Sequence, residues 1–388
     1  MKIGLSTTMI QRGKSGVARY VLDLVQALLD TPGDHQLQLF VLEEDRELFA
    51  FARDRAAILT VPETARTPVA NIRWHQTRLP ALARQQDLDV LHVPSYRRLL
   101  WPRPCALVAT IHDLAPFHLA TKYDWKRMFY GRVVVKRLAR RQHEIVAVSE
   151  QTARDLERFF GLGADRVTVI WNGIDHGRFR EENPAADRAA AADRWGLDRP
   201  FFLYVSRLEH PAKNHARLIE GFNRFKRQTG SDWLLALAGG DWHGAEVIRS
   251  AAAAAPFARD IRFLGFVDDV ALPGLYRAAA VFVYPSLFEG FGLPPVEAMA
   301  CGTPVISSTR GALREVVADA ARTVDPENPG SLEEALAALA GEAAERERLR
   351  AAGRANARRF DWRLTARQTL ALYARAAGRV CGEESRGV

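Results

Sequence analysis

The sequence predicts an α/β protein built from two doubly wound, parallel-sheet domains, residues 1–185 and 186–388, facing a central cleft. Three observations carry this. Short apolar runs recur along the chain, and stretches with helical spacing separate them, the order that produces parallel sheets. The alternation runs through once, breaks at a polar, alanine-rich segment from Glu181 to Arg194, and then starts again. The length of 388 residues, 48% of them hydrophobic, suffices for two cores. Ligands in such folds sit at the carboxyl ends of the strands, so the site is expected there.

The first series opens with the strand Lys2-Ile3-Gly4-Leu5-Ser6, then the loop Arg12-Gly13-Lys14-Ser15-Gly16. Val17, Tyr20, Val21, Leu24, Val25 and Leu28 follow at helical spacing. Further strands are expected at 36–42, 90–93, 106–111, 144–148 and 167–171, the last ending in the turn Asn172-Gly173-Ile174-Asp175. Glu181 to Arg194 reads as the linker. The second series places strands at 201–205, 233–238, 261–265, 280–284 and 304–307. Beyond Pro329 the chain reads as almost entirely helical. The helices after about residue 360 are expected to pack back on the first domain, and Cys381 to Val388 to fray.

The densest chemistry lies from Val283 to Gly302. An apolar strand stops at Pro285, a loop carries Glu289, Gly290 and Gly292, and a helix opens near Pro294-Pro295. A strand, glycine loop and helix start favour an anion, because backbone N–H groups and the positive end of a dipole meet there. With Glu289 in the loop and Glu297 about one turn into the helix, two carboxylates can meet different parts of one ligand, and hydroxyl groups are their natural partners.

Other strand ends add to this. Arg207 and Lys213 follow Phe201-Phe202-Leu203-Tyr204-Val205, and a guanidinium fork with an ammonium can hold a diphosphate. Solvated surface is the plainer reading of that pair alone. Gly239 and Gly240 allow a close backbone approach. Phe266, in Phe263-Leu264-Gly265-Phe266-Val267-Asp268, marks either a base pocket lined by main-chain groups or a simple strand terminus. His112 and Asp113 end the strand at 106–111; the histidine is expected to orient a sugar hydroxyl, with Asp113 accepting a hydrogen bond from its ring. Gly13-Lys14-Ser15-Gly16 is not a Walker loop, since the lysine follows the first glycine directly. Its expected role is to let a helix N-terminus approach a phosphate.

Composition excludes several classes. No run of 18 uncharged apolar residues occurs and no leader is apparent, which points to a cytosolic protein. Cys105, Cys301 and Cys381 support neither a disulfide framework nor a cysteine zinc site. No HExxH pattern and no cysteine cluster occurs, so metal-independent chemistry without a cofactor is expected. The net charge of +8 is uneven: 27 Lys and Arg against 21 Asp and Glu in residues 1–185, and 27 against 25 in 186–388. Much of the excess lies in Lys126, Arg127, Arg132, Lys136, Arg137, Arg140 and Arg141, a stretch without acids and interleaved with apolar residues. It reads as a solvated helix face or as a basic amphipathic helix docking on anionic lipid at the inner face of the cell membrane. A nucleic-acid role lacks any recognisable motif.

Together these pieces resemble the retaining GT-B glycosyltransferases of family four, with two Rossmann-like domains, over almost the whole length. Glu289-Gly290-Phe291-Gly292-Leu293-Pro294 ending in Glu297 is similar to that family's double-glutamate signature. Arg207 and Lys213 match its phosphate-binding pair, Gly13 to Gly16 its N-terminal glycine loop and His112 its sugar-contacting histidine. Asn172 to Asp175 falls where the family carries a similar turn. Ser15 departs from the second glycine that many relatives carry before Gly16.

The resemblance implies Glu297 on the ribose hydroxyls and Glu289 on donor-sugar hydroxyls. It places the amides of Gly290, Phe291, Gly292 and Leu293 on sugar and phosphate oxygens, and Arg207 and Lys213 on the leaving diphosphate. It implies transfer of a hexose from a nucleotide-sugar donor, GDP-mannose ahead of a UDP-hexose, to a lipid-linked or oligosaccharide acceptor in surface polysaccharide or glycolipid synthesis. A sugar-nucleotide epimerase of the same shape and a basic nucleic-acid-binding protein are the rival readings.

Overall fold

Strands covered on both faces should read as near-continuous apolar runs, and Phe201–Val205, Leu234–Ala238 and Val281–Tyr284 do. The structure, a computed structural model, describes residues 1–13, 15–118 and 130–385. Lys14, Lys126 and Arg127, singled out above, lie outside the described residues.

The chain divides into two units, Met1–Gly173 with Phe360–Val388, and Ile174–Arg359. The first holds a parallel seven-stranded sheet: β1 (Lys2–Ser6), β2 (Gln36–Leu42), β3 (Ala57–Val61), β4 (Val90–Val93), β5 (Ala106–Ile111), β6 (Glu144–Ala147) and β7 (Val167–Val169), in the order β3-β2-β1-β4-β5-β6-β7. The second holds a parallel six-stranded sheet: β8 (Phe201–Val205), β9 (Leu234–Ala238), β10 (Ile261–Gly265), β11 (Val281–Tyr284), β12 (Val305–Ser308) and β13 (Arg322–Val324), in the order β10-β9-β8-β11-β12-β13. These are the two Rossmann-like sheets of the predicted fold class. Each strand order reverses once, between β1 and β4 and between β8 and β11. At such a switch point neighbouring connections leave in opposite directions and open a crevice.

In the first unit, helix α1 (Gly16–Asp30) starts where the Ser15 hydroxyl accepts a hydrogen bond from Ala18 N at 3.1 Å. Its Tyr20, Val21, Leu24, Val25 and Leu28 are fully buried against β1 and β2 residues such as Ile3, Leu5 and Leu39. Each such side chain contributes about 1.5–3 kcal/mol of burial. The helix Trp362–Ser385 packs on α1 and β4 and adds Leu372, Tyr373 and Ala376 to the same cluster. Tyr373 OH lies 2.7 Å from His92 Nδ1, and Arg375 grips the buried Glu144 with Nε at 2.7 Å and Nη2 at 2.8 Å. In the second unit Phe202, Phe222, Phe225 and Trp233 form an aromatic cluster beneath β8.

Several expectations change. The boundary falls at 173/174 instead of 185/186, because 174–185 belongs with the second unit: Arg178 donates to Asp269 O, and Phe179 lies 6.1 Å from the Tyr276 ring. The linker is a helix, Pro184–Trp195. Asn183 caps it on Ala185 N, Pro184 suits its first turn, Gly196 in the left-handed region ends it, and Asp187 pins it to Arg277 at 2.6 Å. β3 and β13 were not anticipated; both are sheet-edge strands, and β13 has only three residues. Ser385 ends the last helix, past the fraying expected at Cys381.

Of the basic segment, the structure describes a π-helical turn Tyr130–Val135 and a short helix Lys136–Ala139. Arg140 Nε donates to Phe160 O and Arg141 Nε to Trp101 O, so two of its cations hold the chain's own carbonyls. No helix among the described residues is long and apolar enough to cross a membrane.

Candidate active site

The second unit's switch point brings the densest sequence stretch against the loop after β8. Three hydrogen bonds converge on Glu289 Oε1: Lys213 Nζ donates at 2.6 Å, Ser286 Oγ at 2.5 Å and Tyr284 OH at 3.0 Å. The Lys213 and Glu289 side chains are 17% and 15% exposed, so their attraction is only partly screened. Asn214 holds the two loops in register. It sits in the left-handed region (φ 61), which asparagine tolerates, and its Nδ2 donates to Pro285 O at 3.0 Å and Pro326 O at 2.6 Å. Leu287 N donates to Ala212 O at 3.0 Å.

A third support comes from behind. Gly311 (φ +63) lies so close to Glu289 that an added Cβ would meet Glu289 O at 2.4 Å, and Ala312 N donates to that oxygen at 2.9 Å. The helix Leu293–Ala300 begins at Gly292, whose φ of 102 favours glycine. Pro294 and Pro295 have no N–H, so the amide donors in this first turn reduce to Leu293 and Val296. Glu297, half-buried, accepts from Tyr276 OH through Oε2 at 2.9 Å. Phe291 is buried, with Gly290 beside it.

Arg207 leaves the end of β8 on the exposed side. Its side chain is 45% exposed, Nη2 sits 3.2 Å from Glu209 Oε2, and the guanidinium lies 4.6 Å from the Trp242 ring. Gly239 makes a close approach, but to protein: its Cβ would stand 1.9 Å from Ser206 O, so the glycine serves the β8–β9 junction. Phe266 is 75% exposed at the end of β10.

His112 and the glycine loop belong to the first unit, where His112 and the loop's Ser15 line one pocket with Arg97 and Arg98. Gly13 (φ 79) closes a short turn, and Gly16 begins α1. Ser15 is the helix cap, which accounts for a serine at that point. The His112 ring meets Tyr20 edge-on at 4.7 Å, and its Nε2 is 3.3 Å from Pro94 O. Burial lowers its pKa to about 4, so the ring is neutral at physiological pH. Asp113 does not orient this ring: its Oδ1 accepts from Ala115 N at 2.9 Å, because an aspartate two residues ahead of a free helix amide caps locally.

Sequence reasoning missed Ser286, Tyr284, Asn214, Tyr276 and Gly311. Gly311 carried a signal, as a glycine following the strand at 304–307. Nothing in the sequence marks the tyrosines as more than strand and helix residues.

Known proteins resemble this chain along its length. The profile described as Glycosyltransferase Family 4 matches residues 14–178, and that described as Glycosyl transferases group 1 matches 187–356. The O-antigen chain mannosyltransferase B of Escherichia coli is 28% identical over 382 residues, 96% of this chain and 99% of the relative. A phosphatidyl-myo-inositol mannosyltransferase of Mycobacterium leprae is 31% identical over 302 residues, 74% of this chain and 73% of the relative. Among solved structures, the sucrose-phosphate synthase of Thermosynechococcus elongatus shares the fold with a TM-score of 0.79 at 21% identity, covering 97% of this chain and 98% of that one.

Proposed function

This chain belongs to the GT-B glycosyltransferases of family four, and from that membership we propose that it moves a hexose, mannose first, from a nucleoside-diphosphate sugar to a lipid-linked or oligosaccharide acceptor. The preference for mannose and for a surface polysaccharide or glycolipid product draws on relatives named for those activities. The carrying observation is the convergence of Lys213, Ser286 and Tyr284 on Glu289 beside the start of a helix.

The chemistry follows from where charge develops. As the anomeric bond breaks, negative charge grows on the diphosphate, and Lys213 and Arg207 are the cations assigned to neutralise it. Preorganised charge of this kind is usually the largest catalytic contribution. It also supplies what a metal ion would otherwise provide, the basis for proposing a metal-independent reaction. Glu289, tied down by three donors, orients donor hydroxyls instead of attacking carbon. Glu297, with Tyr276 holding one oxygen, is assigned to the ribose, and the amides of the Gly290 to Leu293 turn to sugar and phosphate oxygens. Gly239 and Phe266 border the nucleotide. His112 and the Gly13 to Gly16 turn are assigned to substrate hydroxyl and phosphate contacts. A diphosphate oxygen takes the acceptor proton on the face of departure, giving retention.

A thermal-shift panel of GDP-, UDP- and ADP-sugars identifies the donor, since a ligand at 100 times its Kd stabilises by about 2.7 kcal/mol. Transfer from that donor, radiolabelled, should fall by roughly 10²–10³ in Lys213→Ala, and near-normal turnover would remove the assignment. Turnover without acceptor would favour the epimerase. Anomeric proton couplings of the product test retention. Docking of the Lys126 to Arg141 segment on membranes is read by sedimentation with anionic against neutral liposomes.

A further inference from the structure

We propose that Trp242 is a positioning residue for the transfer step: its indole ring, together with the buried carboxylate of Glu209, holds the Arg207 guanidinium ready for the leaving diphosphate. The proposal deepens the reading above and rests on its assignment of Arg207.

Arg207 and Lys213 are assigned the same charge but are held differently. The Lys213 side chain is 17% exposed and bonds Glu289 Oε1 at 2.6 Å. Arg207 stands at the open end of β8 with its side chain 45% exposed, and its one carboxylate contact among the described residues is Glu209, at 3.2 Å. A loose arginine loses rotamer freedom each time it grips a phosphate, which weakens the grip. A second anchor removes part of that loss beforehand, and a different loop supplies one.

The parallel pairing of β8 with β9 does not stop at Val205 and Ala238. Ser206 N donates to Ala238 O at 2.9 Å, Leu208 N to Gly240 O at 2.9 Å, Trp242 N to Leu208 O at 3.2 Å and His210 N to His243 O at 3.0 Å, with Leu208 and Asp241 as bridge partners. The two loops therefore continue the register of the two strands. Residues two apart in extended backbone point the same way, which brings Glu209 beside Arg207. The same register brings Trp242 to Arg207, with the guanidinium carbon 4.6 Å from the centre of the indole ring. Asp241, next to Trp242, is taken by Arg249 at 2.6 Å and does not compete. Trp242 is 52% exposed, so much of its apolar surface is left out of the core, and its ring is occupied by a cation instead. The Nε and Nη1 donors of Arg207 make no hydrogen bond among the described residues and stay open to phosphate oxygens.

The test is a double-variant cycle on the full chain, read as kcat and donor KM with the radiolabelled donor and as calorimetric affinity for UDP and GDP. A cation–aromatic contact that the donor covers from water corresponds to roughly a 5- to 30-fold factor, so Trp242→Leu should lower kcat by that much. Trp242→Phe should recover most of it, because phenyl keeps an aromatic face that leucine lacks. Donor KM should change by less than about threefold, since the contact acts on charge that grows in the transition state. Affinity for the nucleotide product, which carries the leaving group's full charge, should fall alongside kcat. Adding Trp242→Leu to Arg207→Ala should cost nothing further. Melting temperatures of the Trp242 variants should match the unaltered chain; if Trp242→Leu folds poorly, Trp242→Gln must show the same loss. Unchanged kcat in Trp242→Leu, equal losses in Trp242→Leu and Trp242→Phe, or losses that multiply in the double variant overturn the positioning role alone. Normal turnover in Arg207→Ala, or binding of neither UDP nor GDP, counts against the proposed function, and the positioning role falls with it.

Discussion

Alanine at Lys213 and alanine at Glu289 should not destabilise the second unit equally, although each breaks the same ion pair. In Lys213→Ala the Glu289 carboxylate loses one charge-assisted bond but keeps Ser286 Oγ and Tyr284 OH. In Glu289→Ala the ammonium keeps only the Tyr284 ring, 5.9 Å away, among the described residues, while Tyr284 OH loses its acceptor and Ser286 Oγ retains Ala212 O at 3.3 Å. With about 1.5 kcal/mol for a bond to a charged group and about 1 kcal/mol for the stranded hydroxyl, the two changes cost about 1.5 and about 2.5 kcal/mol. The double variant, with no charge left behind, should cost about what Glu289→Ala costs alone, a coupling of about 1.5 kcal/mol. At roughly 2–4 °C per kcal/mol for a domain of this size, the melting temperatures fall by about 3–6 °C and about 5–10 °C. Urea denaturation of the three variants and differential scanning calorimetry measure both. Equal losses, or additive ones, would refute the convergence on a single oxygen as the feature that holds these loops.

Three further outcomes are expected. Gly311→Ala forces a Cβ against Glu289 O and requires a left-handed alanine; it should cost about 1–3 kcal/mol and lower transfer by displacing Glu289, which melting curves and donor turnover read together. Tyr276→Phe leaves Glu297 without one donor, about 1 kcal/mol, so donor KM should rise about fivefold with little change in kcat, as measured by initial rates. In acid, His75 and His92, lowered to about 3, and His112, lowered to about 4, stay neutral in the first unit while the unfolded chain protonates near pH 6.5. The unfolded state then binds more protons, so stability is full above pH 6.5 and declines as pH falls toward 3; His75→Gln should flatten that slope in a pH series of urea unfolding.

The parallel series was legible because strands covered on both faces cannot alternate with polar residues. The glutamate pair was legible because both acids sit on one loop and one helix. Their mutual geometry was not. Ser286 and Tyr284 lie three and five residues before Glu289, but Lys213 is 76 residues away, and only the pairing of β8 with β11 brings it there. Periodicity carries no strand order. Asp113 was misread because a local cap and a ring partner make the same demand on a carboxylate. The helix Pro184–Trp195 was misread because an alanine-rich run with charges has weak amphipathicity, although Asn183, Pro184 and Gly196 marked both its ends.

The first unit is assembled from both ends of the chain, and this sets an order of events during synthesis. Residues 1–173 leave the ribosome first, yet among the described residues Glu144, 1% exposed, has its arginine partners at Arg375 and Arg379, and His92 meets its tyrosine at Tyr373. At about 5–20 residues per second, some ten to forty seconds separate Gly173 from the final helix. Throughout that interval the second unit can finish while the first waits with an acid and an apolar groove uncovered. The nascent first unit is therefore the stage at which chaperone engagement, or misassembly with another unfinished copy, would be concentrated.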